Sequence, residues 1–249
     1  MEANAYLRRL EYRGSRVPTV ATLRSLHRAH LLAVPFENLD IPLGRPIRLE
    51  AAALFEKIVR QRRGGFCYEL NGLFALLLSA LGFEVELLSA RVMDGGQPGP
   101  AFDHLALLVK LEEPWLADVG FGDSFVEPLR LQDEIEQVQN AGAFRLLRSA
   151  EQWTLQARTR EGDWQPQYLF TLTPHTLADF AGMCHYHQTS PASHFTQKRI
   201  CTRATASGRL TLSERKLIIT HHGERRETIL HSEEDYQAAL WDRFGIVLT

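Results

Sequence analysis

The sequence predicts an α+β fold, with a helical first third, a β-rich middle and a small mixed segment at its end. Three observations carry that expectation. Leucines and aromatics recur at three- and four-residue spacing as far as Gly82. After Phe83 they give way to short runs rich in Val, Leu and Phe, bounded by turn residues. A helical pattern returns in force only after Ser232.

In the first third, Leu23, Leu26, His27 and His30 share a helical face behind Thr19 or Thr22 as the cap, and Pro35 ends the run. Ala51 to Gln61 is a second amphipathic stretch, with Leu54, Phe55, Ile58 and Val59 together. The third helix is the most regular: from Cys67 onward, Leu70, Leu73, Phe74, Leu77 and Leu81 repeat at helical spacing. Gly82 supplies the stop, since glycine enters the left-handed conformation at little cost.

Glu84–Val92, Asp103–Leu111, Trp115–Val119, Trp153–Thr159 and Gln167–Thr173 read as strands, with Asp94-Gly95-Gly96 and Glu161-Gly162-Asp163 as turns between strands. That pattern suits a small antiparallel barrel or sandwich. Pro174 to Gly182 reads as a short helix, capped by Thr173 with Pro174 at the first helical position. Phe195–Thr202, Arg209–Leu212, Lys216–His221 and Glu227–Leu230 return to strand. A last helix starts at Ser232, where Ser232 to Asp235 resembles a capping box, and stops at Gly245.

With 45% hydrophobic and 23% charged residues the chain has the composition of an ordinary globular protein. A net charge of −2 gives no electrostatic case for nucleic acid or a membrane surface, and Arg60, Arg62 and Arg63 are too local to change that. The longest apolar run, Leu73 to Leu78, falls far short of the roughly 20 residues that span a bilayer. The first residues run into Arg8-Arg9-Leu10-Glu11 without the apolar core of a signal peptide. Cys67, Cys184 and Cys201 are odd in number and scattered, which argues against a disulfide framework and for a reducing cytoplasm.

In Arg63-Gly64-Gly65-Phe66-Cys67 two glycines turn the backbone sharply, and Cys67 falls in the first turn of the most regular helix. Free amides and the positive end of the helix dipole favour a thiolate there. His104 stands at the entrance of the strand Asp103 to Leu111, and Asp118 ends the strand Trp115 to Val119. If these two strands pair antiparallel, the imidazole and the carboxylate lie side by side. Each residue alone has an ordinary reading, as a small core hydrophobe, a satisfied core histidine or a turn aspartate. Their conjunction is the arrangement that activates a nucleophilic thiol.

Val34-Pro35-Phe36-Glu37-Asn38-Leu39-Asp40, Arg63 to Asn71, and Asp118-Val119-Gly120-Phe121-Gly122, with His104 between the last two, match in order the signatures of the arylamine N-acetyltransferase family. Phe125 to Leu129 and His187 to Pro191 extend the resemblance. It implies a helical bundle over residues 1–83, a β-barrel over 84–190 and an α/β lid over 191–249, around a core like that of cysteine proteases and transglutaminases. It implies Cys67, His104 and Asp118 as the catalytic triad, and acetyl-CoA as donor to an aromatic amine or hydrazine in xenobiotic metabolism. The route would be ping-pong, through an acetyl-cysteine. Phe36, Val92 and Phe121 match acceptor-pocket positions, and Phe121-Gly122 stands where the pantetheine arm passes.

No metal is expected. Cys184-His185-Tyr186-His187, with His175 and His194 nearby, matches no zinc spacing, and neighbours on an extended segment point to opposite faces. Glu37 and Arg63 are read as a structural ion pair near Cys67, and His221-His222 as a solvated turn. The order Cys, His, Asp is shared with transglutaminases and papain-like peptidases, the leading alternative. A catalytically dead binding module is the other.

Overall fold

In a computed structural model that describes residues 2–158 and 162–248, the first third folds as a bundle. It comprises α1 (Ala3–Arg9), α2 (Val20–Ala33), α3 (Ala51–Phe55) continued by a π-helical turn (Glu56–Arg60), and α4 (Cys67–Ala80). The Thr19 hydroxyl accepts the Thr22 N–H, so Thr19 is the cap of α2. Every residue from Cys67 to Ala75 is buried, so α4 is the bundle's core and needs no polar face. On one side it packs against Tyr6, Leu23, Leu26, Leu54 and Ile58; on the other it meets Leu105, Leu107 and Val109. Gly82, at φ +88°, ends it as expected.

A two-residue strand, β1 (Phe36–Glu37), precedes a large antiparallel sheet. Its members are β2 (Glu84–Asp94), β3 (Gln97–Pro98), β4 (His104–Lys110), β5 (Pro114–Ala117), β6 (Leu129–Arg130), β7 (Gln137–Gln139), β8 (Gly142–Ser149), β9 (Gln152–Arg158) and β10 (Gln165–His175). The order is β6-β5-β4-β2-β10-β9-β8-β7, with β3 paired to β2, and the sheet curls into a barrel. Leu88, Ala90, Ala106, Leu108, Leu155, Tyr168 and Phe170 fill the interior. β4 is covered on both faces, by α4 outside and the barrel core inside, which is why its sequence is continuously apolar.

The seam between β6 and β7 is closed by side chains. Gln137 accepts the Arg130 N–H at 2.8 Å and donates to the Arg130 carbonyl at 3.0 Å. Gln139 accepts the Val126 and Glu127 N–H groups, both at 2.9 Å, and donates to the Glu127 carbonyl at 2.8 Å. A primary amide presents the donor and acceptor of a peptide group, so two glutamines stand in for a strand ladder.

The rest of the chain comprises a 3₁₀ turn (Leu177–Phe180), α5 (Ala181–Thr189), α6 (His194–Gln197), β11 (Ile200–Thr205), β12 (Gly208–Ser213), β13 (Lys216–His221), β14 (Glu224–Ile229) and α7 (Glu233–Phe244). The second sheet runs β1-β11-β12-β13-β14, so the lid borrows its first strand from the bundle. The buried Tyr236, Ala239, Leu240 and Phe244 of α7 share a core with Cys201, Leu212 and Leu217 of this sheet. Ser232 caps α7, and Gly245 ends it at φ +68°.

Two expected elements differ. Pro174 is no helix start: it extends β10, paired with Leu88 past a register shift that spares the missing N–H. The helix begins later, where Asp179 accepts the Thr176 N–H, and continues through Thr189. The strand expected from Phe195 begins only at Ile200, because Ser193 caps the short α6. α1, β1, β3, β6, β7 and β8 had no sequence-based counterpart. Thr159 and Glu161, placed by the sequence in a strand and a turn, lie outside the described residues. Among the described residues no helix is long and apolar enough to cross a membrane.

The glutamine seam makes a testable prediction. Gln139→Leu removes three hydrogen bonds and strands two N–H groups, a loss of about 2 kcal/mol, so the melting temperature should fall by roughly 4 to 8 °C. Differential scanning calorimetry checks it; an unchanged melting temperature would mean that the seam is not held by this amide.

Candidate active site

The position of Cys67 is set by the segment before it. Neither Gly64 nor Gly65 has a positive φ; both are glycine because there is no space for a Cβ. At Gly64 a Cβ would overlap the Pro35 carbonyl oxygen, and at Gly65 it would come within 2.7 Å of the Glu69 carboxylate. The close approach lets Glu37 donate its N–H to the Gly65 carbonyl at 2.8 Å, so residues 64–66 dock along β1.

A buried charge network holds this arrangement. Arg63 donates to Glu37 and Asp40, both at 3.0 Å, and Lys57 lies 2.7 Å from Asp40 and 2.8 Å from Glu69. The expected Glu37–Arg63 pair is thus part of a five-residue cluster. Glu69, three residues into α4 from its cap, accepts the Phe66 N–H at 3.1 Å and fastens the helix start. Burial pushes the Glu69 carboxyl up to about 7, against the pull of Lys57.

His104 opens β4 on the face that lines the barrel, and Asp118 follows the last residue of β5. The antiparallel β4–β5 pair brings them together: His104 Nε2 lies 2.7 Å from Asp118 Oδ2, both side chains buried. Since Nε2 is bound to the carboxylate, Nδ1 is the nitrogen left for a further partner. Asp118 accepts three more hydrogen bonds, from Tyr168 Oη at 3.2 Å, Asn71 Nδ2 at 2.8 Å and the Gly120 N–H at 2.9 Å. Burial would raise its carboxyl, but the charge and hydrogen bond of His104, with Asn71 and Gly120, hold it below the usual carboxylate range.

Asn71 joins this cluster to the helix. It lies one turn after Cys67 on α4 and donates to the Leu105 carbonyl at 2.6 Å as well as to Asp118. A Cβ on Gly120 would fall 2.8 Å from the Cys67 Cα, so the 118–120 turn rests directly on the first turn of α4. The Leu105 N–H favours the Cys67 thiolate. Burial works the other way and pushes the thiol well up. A lone thiolate is unfavourable in this site; ionisation by handing the proton to an adjacent group keeps the pair neutral overall and avoids most of that cost.

Phe121 packs edge-on to His104 at 5.2 Å, and Tyr168 completes the aromatic wall, 5.3 Å from both rings. Val92 pairs across the strand with Tyr168, so its side chain is on the same face. Phe36 is buried and approaches Gly122, which has φ +94°. Beside Gly122 a cleft of about 820 Å³ opens, lined in part by Arg28, Asp123, Asn140, Arg209 and His222. Arg209 is fixed there by Asp123 at 2.8 Å and by the Gly122 carbonyl.

Three residues that sequence reasoning did not assign complete the site. Asn71 could have been found, since four residues after Cys67 is the same helix face. Tyr168 could not, because nothing local marks a strand residue 50 positions from its partner. His27, read only as part of an apolar face, accepts the Asp118 N–H on Nε2 at 3.1 Å and donates from Nδ1 to the Val126 carbonyl at 2.9 Å. The segment Cys184 to His187 is helical, not extended as expected, so Cys184 and His187 are buried on one face. His187 lies 3.2 Å from Asp103 and 3.1 Å from the Ser193 hydroxyl.

Comparison with known proteins places this arrangement in a group. A family model described as N-acetyltransferase matches residues 19–249. The chain is 41% identical over 230 residues to the arylamine N-acetyltransferase / N-hydroxyarylamine O-acetyltransferase of Salmonella typhimurium, covering 91% of this chain and 82% of that protein. It is 38% identical to the arylamine N-acetyltransferase of Mycolicibacterium smegmatis over 100% of this chain and 93% of the relative. The solved structure of Mycobacterium marinum arylamine N-acetyltransferase in complex with CoA is similar with a TM-score of 0.92 at 36% identity, covering 98% of this chain and 93% of that one.

Burial of His27 sets a pH dependence. It lowers the imidazole from 6.5 to about 4, so the unfolded chain takes up the proton first. The associated stability is present above pH 6.5 and drains away as pH falls toward 4. His30, lowered by burial too, acts in the same direction. His27→Gln should therefore lose about 2 kcal/mol less stability than the parent between pH 7 and pH 5, measured by urea unfolding at each pH. Equal losses in the two proteins would contradict a buried neutral His27.

Proposed function

This chain belongs to the arylamine N-acetyltransferase family, and from that premise we propose that Cys67 carries the acetyl group from acetyl-CoA to an arylamine or arylhydrazine in a ping-pong cycle. The chain is an acyltransferase. The observation that supports the assignment of residues most directly is the 2.7 Å His104–Asp118 contact, tied through Asn71 to the helix turn that presents Cys67.

In the first half-reaction the Cys67 proton moves to His104 Nδ1, and Asp118 stabilises the imidazolium through Nε2. The thiolate attacks the thioester carbonyl. The Cys67 N–H, which as the first of the helix has no intrahelical acceptor, is the oxyanion donor. The tetrahedral adduct collapses with loss of CoA thiolate, which takes the proton from His104. In the second half-reaction the amine nitrogen attacks the acetyl-cysteine, His104 removes its proton, and Cys67 leaves as thiolate.

The donor's phosphate-bearing part is assigned to the cleft that carries Arg28 and His222, with the pantetheine arm passing Phe121 and Gly122. The acceptor ring lies against Phe36, Val92 and Phe121. Aryl amines and hydrazines are neutral, hence nucleophilic, at pH 7. An alkyl ammonium entering this apolar site would have to be desolvated as a cation.

Acetyl-CoA without an amine should add one acetyl mass, mapped by peptide mass spectrometry to Cys67. His104→Gln should slow that loading by on the order of 10³-fold, since a buried thiol then has no proton acceptor. Label on Cys184 or Cys201, or no label, would overturn the assignment. Phe121→Ala should raise KM for an aniline roughly tenfold, the worth of part of a ring's buried area, while Cys67 loading changes less. Faster transfer to a lysine peptide, or to water, than to any aromatic amine would refute the acceptor class and favour a peptidase-like reading.

A further inference from the structure

Where the lid meets the bundle lies a second cleft, of about 260 Å³, lined by Arg9, Arg62, Arg203, Arg243, Trp241 and Asp242 among others. Its chemistry is one-sided. Four arginines face one aspartate, which is exposed, and among the described residues none of the four arginines forms an ion pair.

Two of the arginines, Arg9 and Arg203, are built in, and Arg62 and Arg243 are exposed. Arg9 is 5% exposed and spends its guanidinium on three carbonyls: Ala33 at 2.8 Å, Ile58 at 3.2 Å and Arg62 at 3.3 Å. The last bond pins Arg62 at φ +56°, a left-handed conformation that costs a non-glycine residue about 1 kcal/mol. Arg203 donates Nη2 to the Arg243 carbonyl at 2.9 Å, and its Nε is buried without a partner. Burial and the charges of Arg62 and Arg203 pull Arg9 down to about 10, and burial lowers Arg203 as well.

Stapling of carbonyl ends explains Arg9. It does not explain why cationic side chains accumulate on one another in a part-buried place. Two helix C-termini, those of α2 and α7, contribute only on the order of half a negative charge each. That leaves the lining clearly positive. The volume lies below the roughly 300 Å³ at which pockets for drug-sized ligands begin, so it suits one compact anionic group. Trp241, 60% exposed at the rim, is placed to meet a ring attached to that group.

We propose that this cleft binds a phosphate group, held by the guanidinium groups of Arg62 and Arg203, and that the bound anion ties the lid to the bundle. The group is either inorganic phosphate or the phosphoryl end of a nucleoside monophosphate whose base stacks on Trp241. Arg62 is five residues before Cys67 and adjoins Arg63 of the buried network, so occupancy stiffens the segment that sets the cysteine.

Thermal unfolding of the whole protein tests this with sodium phosphate or AMP against sodium chloride at equal ionic strength. Phosphate should raise the melting temperature saturably, by roughly 5 to 10 °C at a hundred times its Kd. Arg203→Gln and Arg62→Gln should each weaken it at least tenfold, as loss of a charge-assisted contact does. If Arg203→Gln fails to fold, Arg62→Gln decides alone, because that side chain is exposed. Binding by AMP should also quench tryptophan fluorescence in the parent and not in Trp241→Phe. A response to AMP with none to phosphate supports the nucleotide as source; equal responses support free phosphate. A shift no larger than that of chloride, or one unaltered in the variants, overturns the proposal. So does competition between phosphate and acetyl-CoA with a raised acetyl-CoA KM in Arg62→Gln, which would assign the arginines to the donor.

Discussion

Asp118 is a carboxylate 1% exposed near the middle of the molecule, and much of the structure is arranged around keeping it ionised there. An unpaired buried charge costs several kcal/mol, so each of its oxygens has to be matched by a donor. The donors come from four places: His104 on β4, Tyr168 on β10, Asn71 on α4 and the N–H of Gly120 in its own turn. His27 on α2 takes up the neighbouring backbone N–H. Bundle and barrel therefore meet at one group, and the His104 imidazole is oriented as a consequence of satisfying it.

The second buried cluster works on the backbone. Lys57, Arg63, Glu37, Asp40 and Glu69 bring three carboxyl groups and two cations together in a largely buried region. Such pairs add little net stability, because desolvation offsets their attraction; what they supply is a single arrangement, since any slip strands a charge. Here that arrangement fixes the turn before α4. Gly64 and Gly65 let it lie against β1 without a Cβ between, and β1 is in turn the first strand of the lid sheet. Lid position and cysteine position are thus coupled through Phe36 and Glu37.

The barrel shows the same economy of means. Leu88, Ala90, Ala106, Leu108, Tyr168 and Phe170 fill its interior, and His104 shares the inward face of β4 with Ala106 and Leu108. The two-glutamine seam lets β6 remain two residues long, which leaves the chain between β5 and β6 free to fold over the site as the Gly120–Gly122 turn. A full strand ladder would have pulled that turn into the sheet.

Much of this was legible in the sequence. Helix α4 follows from a 3.6-residue period sustained over fourteen residues, and β4, β5 and the closing helix α7 from equally local patterns. The order of Cys67, His104 and Asp118, each at the end of an element, was readable because element ends are marked by local signals. Local signals failed where pairing decided the outcome. Pro174 reads as a helix start in isolation, yet a bulge in the β2–β10 ladder makes it a strand residue. Phe195 looks like strand, but Ser193 caps a short helix there instead. By itself the sequence determined which side chains are candidates for the chemistry and the ends of which elements carry them. Only the tertiary structure decided that Nε2 and not Nδ1 faces Asp118, that Tyr168 and His27 share it, and that four arginines from both ends of the chain converge. Those facts are contacts between residues far apart in the chain, and periodicity carries no information about them.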